Sequence, residues 1–169
     1  MRGAATSTRF LQQPGETHLM AERYNNPFQG IDVSIPAEFH ADVARYSQHE
    51  GRALMDNNPF PRMVDCWFLA VCVAARLGLE PAETKGVPSK KIIEGSIFST
   101  DPARVHALML VAINHTGSID IVTDPRRMMA IANGLAVAGL PKVLDMLKVG
   151  DGDPIWNLSD AVEGLLVPA

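Results

Sequence analysis

The chain has 169 residues, enough for one domain with a sizeable core. Apolar residues make up 47% and charged residues 20%, a balance that points to a well-buried interior or to a surface hidden against a partner. The net charge is -4 with histidine neutral. That excludes a protein that holds nucleic acid by bulk charge and leaves only a local basic patch for the purpose.

Residues 1–23 carry Arg2 and Arg9, several Ser and Thr, and a single acid, Glu16, before residue 20. An organellar transit peptide has that composition, but no amphipathic period runs through the segment. A flexible N-terminal segment over 1–23 is expected, followed by a helical domain over 24–169. Asn25-Asn26-Pro27-Phe28 and Asn57-Asn58-Pro59-Phe60 are near-identical. They read as turns in which Asn-Pro initiates and Phe anchors on the core, with a short docking motif as the other reading. Ile31, Val33 and Ile35 alternate with Asp32 and Ser34, the pattern of a short strand. Ile119-Asp120-Ile121-Val122 is a second such segment and a candidate to pair with it.

Pro36-Ala37-Glu38 opens the first expected helix, with Phe39, Val43 and Tyr46 on one face, running to Gly51 or raggedly to Leu54. Pro61 to Leu77 is the central helix. Trp67, Phe68 and Val71 lie on one face, Cys66, Leu69 and Val73 cover much of the rest, and only Arg62, Asp65 and Arg76 are charged. A helix apolar nearly all round is buried on several sides, so other helices must surround it. Gly78 stops it and Pro81 prevents resumption, which leaves Glu80 to Pro88 as a surface loop. Lys90 to Phe98 reads as a short helix with Ile92, Ile93 and Ile97 inward.

Thr100-Asp101-Pro102 and Thr123-Asp124-Pro125 are the plainest helix starts in the chain. A side-chain oxygen there accepts a hydrogen bond from a free first-turn N–H, and proline costs nothing at the first position. The first helix runs to about His115-Thr116-Gly117 and the second to about Gly139. Pro141 then opens a further short helix through Leu147. Gly150 to Pro154 is a turn, and Asn157 or Ser159 caps a last helix. No apolar run approaches the length of a bilayer span, the longest lying between Pro61 and Gly78, so no membrane contact is expected. The fold class that follows is mainly α, a single compact multi-helix domain around a buried central helix, with at most a short two-stranded β element.

The search for chemistry finds little. The five histidines are His18, His40, His49, His106 and His115, and no pair has the i, i+4 spacing of a helical metal site. Neither a metal nor a cofactor is expected. Cys66 and Cys72 lie on different faces of one helix, too far apart to bridge, and read as buried thiols of a reducing, cytoplasmic compartment. A nucleophilic Cys66 served by His106 or His115 is the enzyme alternative, with Trp67 and Phe68 beside it arguing for the core instead. Asp151 and Asp153 around Gly152 faintly resemble a calcium loop, but Val162 stands where the closing Glu is required. Phosphate loops, dinucleotide fingerprints and nucleophile elbows are absent from the sequence. Basic residues are the remaining lead. Lys90 and Lys91, with Lys85 before them, and Arg126 and Arg127 are the candidate nucleic-acid contacts. The two arginines run against the dipole of the helix they open, unless Asp124 pairs with one of them.

Three segments carry a resemblance: Phe60-Pro61-Arg62-Met63-Val64-Asp65-Cys66-Trp67, then Gly95 through Arg104, then Asn157-Leu158. Together they resemble the small helical accessory proteins of bacterial DNA phosphorothioation and related phage-defence gene clusters. The resemblance covers roughly the C-terminal two thirds and transfers no catalytic residue. It implies a cytoplasmic accessory protein of a DNA-modification defence system that works with larger protein partners. The expectation is therefore a non-enzymatic adaptor acting through protein contacts, with homo-oligomerisation open. A weak, sequence-independent DNA binder and a Cys66-dependent enzyme are the alternatives.

Overall fold

The computed structural model describes residues 25–48 and 57–167. The segment 1–23 and the expected helical extension from Gly51 to Leu54 lie outside them. The described chain is mainly helical with one two-stranded antiparallel sheet. In order it runs β1 (Asp32–Pro36), α1 (His40–Arg45), α2 (Met63–Arg76), β2 (Ser89–Glu94), a 3-10 turn (Gly95–Thr100), α3 (Pro102–Thr116), a second 3-10 turn (Ile119–Thr123), α4 (Pro125–Lys148) and α5 (Pro154–Leu166).

The helix starts follow from local chemistry. Asp101 accepts the Arg104 backbone N–H at 3.1 Å and Asp124 accepts the Arg127 backbone N–H at 3.0 Å, each with proline in the first helical turn. Gly117 ends α3 in the left-handed conformation that favours glycine. Both Asn-Pro-Phe turns are anchored as the sequence suggests. Asn26 donates to the Gly95 carbonyl at 2.8 Å while Phe28 is fully buried, and Asn58 donates to the Arg45 carbonyl at 2.5 Å while Phe60 is buried.

Four expectations of secondary structure change. Lys90 to Glu94 is strand, not helix: β2 pairs antiparallel with β1, Lys90 opposite Ile35 and Lys91 opposite Ser34. The β-branched Ile92 and Ile93 suit that pleat. Ile119–Thr123 is therefore not the partner of β1 but a 3-10 turn. Pro36 ends a strand instead of opening a helix, because the pairing extends to Ser89 and the Ala37 N–H donates to the Pro88 carbonyl at 2.8 Å. Pro141 does not open a new helix but lies inside α4. It is exposed, so its ring and missing N–H fall on the outside of the packing.

The core is built on α2 and α4. Trp67, Ala70, Val71 and Ala74 of α2 meet Leu135, Ala136, Leu140 and Val143 of α4 in one buried cluster. Their closest approach is at Gly139, where a Cβ would stand 2.0 Å from the Ala70 carbonyl oxygen. By length and composition the 24-residue α4 is apolar enough to cross a membrane, contrary to the expectation from the sequence, and half of its most apolar window is buried inside this fold. Phe98 joins the far end of the core, stacked on Trp67 at 6.3 Å and edge-on to Phe28 at 6.2 Å.

An ionic cluster ties the start of α2 to the start of α3. Arg62 holds both oxygens of Asp65 at 2.9 and 3.1 Å, and Arg104 reaches the same carboxylate at 2.9 Å while stacking over Phe68. Burial pushes the Asp65 carboxyl up, but the hydrogen bonds from Arg62 and Arg104 outweigh it and hold the group below its ordinary value.

Candidate functional site

The C-terminal helix is built on a turn that its own first turn closes. Pro154 opens α5 after Asp153, which makes no side-chain cap. Asn157 was expected as a cap. It lies instead within the first turn of α5 and reaches backwards: its amide donates to the Gly152 carbonyl at 2.9 Å and accepts the Gly152 N–H at 3.1 Å. A further bond at 3.4 Å reaches the Leu147 carbonyl near the end of α4. The Asp151 and Asp153 side chains stay exposed. Among the described residues no group of three or more His, Cys, Asp or Glu is placed to hold a metal ion.

The buried polar latch leaves α5 with little apolar burial. Asn157 is its only buried residue, and Leu158 and Leu165 are the side chains that pack against the core. Trp156 is 61% exposed, and Leu166 and Val167 are 70% and 62% exposed. Val149, just before the turn, is 73% exposed. From Val149 to Val167 the chain holds Asp151, Asp153, Asp160 and Glu163, all exposed, and no Lys or Arg. One cation stands at each end of this segment. Arg76 donates to the Leu165 carbonyl at the end of α5 at 2.9 Å, and Lys148 lies 3.6 Å from Asp42. On the outward face of α5, Asp160 and Glu163 follow Trp156 one and two turns along, so the exposed apolar side chains are interspersed with acids. Tryptophan is among the residues most enriched at the energetic centres of interfaces.

The residues singled out from sequence fall elsewhere. Lys90 and Lys91 are exposed on β2, and Lys91 is paired with Asp32 across the sheet. Arg126 and Arg127 are exposed in the first turn of α4. Asp124 binds the Arg127 backbone instead of a guanidinium, and no side-chain ion pair holds either arginine among the described residues. Cys66 is fully buried, and burial, with Asp65 beside it, pushes its thiol up to about 12. A thiol so placed offers almost no thiolate at neutral pH, which weakens the nucleophile reading. His115 lies 3.7 Å from Glu80.

Trp156 escaped the sequence reading. The available signal was a segment, 154–166, with apolar residues on every face beside acids of one sign; its exposure depends on what packs there, which no local pattern states. Comparison of the chain with known protein families, with curated proteins and with solved structures finds no match in any of the three.

Proposed function

We propose that this protein is a non-enzymatic adaptor that holds a partner protein on α5, and that the partner presents a basic amphipathic helix. The exposure of Trp156 on a helix face that also carries Asp160 and Glu163 carries this reading. Trp156 anchors the partner, and the acids beside it select a cationic one and speed its arrival. The same acids repel DNA and anionic lipid from this face. The setting we propose is the cytoplasm of a cell with a DNA-modification defence system. Support for that setting is the resemblance of Phe60–Trp67, Gly95–Arg104 and Asn157–Leu158 alone. In the fold, Trp67, Gly95 and Asn157 serve packing and latching.

Direct DNA contact through Lys90, Lys91, Arg126 and Arg127 is the second reading, favoured by the two exposed arginines without an ion pair. The adaptor reading is tested by sedimentation of the chain alone and with a synthetic Leu/Lys amphipathic peptide. A monomer that binds this peptide and ignores its Leu/Glu counterpart supports the reading. A self-association abolished by Trp156→Ser would assign the surface to a second copy instead and overturn it.

A further inference from the structure

A cleft of about 230 Å³ lies where the loop before β2, the end of β1 and the middle of α4 meet. Its polar lining is Ser34, Thr84, Ser89 and Asn133, and no ionisable side chain lines it. Asn133 is held in one orientation from behind. The indole N–H of the fully buried Trp67 donates to Asn133 Oδ1 at 3.2 Å. An indole N–H can only donate, so the carboxamide oxygen must face Trp67 and the NH₂ must face away. That nitrogen has no hydrogen-bond partner among the described residues, and no unpartnered side-chain polar atom is buried there. It is therefore open to solvent, on a residue that lines the cleft.

One turn beyond Asn133 on the same helix face, Val137 also lines the cleft. The loop wall is fixed to the helix beside Asn133: the Ala82 N–H donates to the Gly134 carbonyl at 3.0 Å, and Pro81 lies so close that a Cβ on Gly134 would stand 2.8 Å from its ring. The cleft thus has a loop wall fixed to the helix, a pre-oriented donor and hydroxyls.

We propose that this cleft binds a small uncharged amide, whose carbonyl accepts from Asn133 Nδ2. Absence of charge in the lining disfavours a carboxylate or an ammonium, which would lose its hydration without a partner. The volume is below the usual range of about 300–1,000 Å³ for small-molecule pockets, which limits the occupant to one ring or a short chain. The site is distinct from α5 and does not depend on the adaptor reading.

Titration of the full chain with benzamide, with benzoate as the charged isostere, tests it. The ¹H–¹⁵N spectrum reads the Asn133 side-chain amide and the Trp67 indole separately. Saturable shifts of both with benzamide are expected, at a dissociation constant on the order of millimolar for a ligand of this size. Asn133→Asp keeps the oxygen that accepts from Trp67 but removes the donor, and should weaken benzamide at least about tenfold as read at the indole. Val87→Trp, in the exposed loop wall, should abolish binding by filling the cleft while leaving Tm unchanged. Absence of a saturable shift, equal binding of benzoate, or unchanged binding to Asn133→Asp would each overturn the proposal.

Discussion

The crossing of α2 over α4 makes one substitution change sign with its address. Gly139→Ala adds a methyl group whose carbon would lie 2.0 Å from the Ala70 carbonyl oxygen. The added Cβ is fixed by its own backbone and meets a backbone carbonyl, so no rotamer change relieves the clash and the helices must move apart. That separation loosens the most extensive interface of the core. Overpacking costs typically about 1–3 kcal/mol and more against backbone, while alanine gains about 1 kcal/mol of helix propensity over glycine. The net expectation is a loss of about 2 kcal/mol or more, or about 4–8 °C in Tm for a chain of this length. Gly164→Ala in α5 is the matched control, because a Cβ there meets nothing within 4 Å. It should raise stability by about 0.5–1 kcal/mol through propensity alone. Urea denaturation of both variants, followed by far-UV circular dichroism, measures the pair. A Gly139→Ala protein as stable as the parent, or two variants shifting in the same direction, would refute the close crossing.

The Asp65 cluster gives a pH dependence. The folded carboxyl ionises below its ordinary value of 3.8, so its stabilisation is complete above that value. It is lost as the pH falls through the lower folded value, where the folded carboxylate finally takes up a proton. Asp65→Asn should cost about 1–3 kcal/mol at pH 7 and converge on the parent in acid; a pH-independent difference would exclude the ionic account. Cys66, buried with its thiol near 12, should resist thiol reagents in the folded protein and react at once in denaturant; rapid labelling in the native state would restore the nucleophile reading. Replacing Lys90, Lys91, Arg126 and Arg127 by Ala should flatten any log K against log salt slope for duplex DNA by about three to four units, the lower figure because Lys91 already has Asp32. A slope unchanged by the four substitutions would remove these residues as phosphate contacts.

What the sequence disclosed was local. Asp101-Pro102 and Asp124-Pro125 cap their helices through atoms three residues away, and the apolar surface of α2 is visible in its own composition. Asn26 and Asn58 were readable as turn residues, though not as ties to Gly95 and Arg45. The missed elements depend on distant partners. The segment from Lys90 to Glu94 has too few residues to separate a helical period from a strand, and β1 decides the matter. Pro141 looks like a helix start, but its ring is exposed and α4 runs on through it. Asn133 gave no signal, because its partner Trp67 is 66 residues away. Asn157 has the chemistry of a cap and is used as a latch, since the turn at Gly152 needs its amide. The basic pairs were visible as charges, but whether they share a face is not written in their spacing.

The most direct test of an adaptor acting through α5 is the affinity of the chain for the Leu/Lys amphipathic peptide, read from the fluorescence anisotropy of a dye-labelled peptide. In the parent chain, binding should also shift the tryptophan emission to the blue as the exposed Trp156 indole leaves water. Trp156→Ser should weaken the peptide by about thirtyfold, the effect of losing an interface hot spot, with Tm unchanged. A peptide that binds equally well to Trp156→Ser, or that binds no better than its Leu/Glu counterpart, would contradict the assignment of α5 as the docking surface.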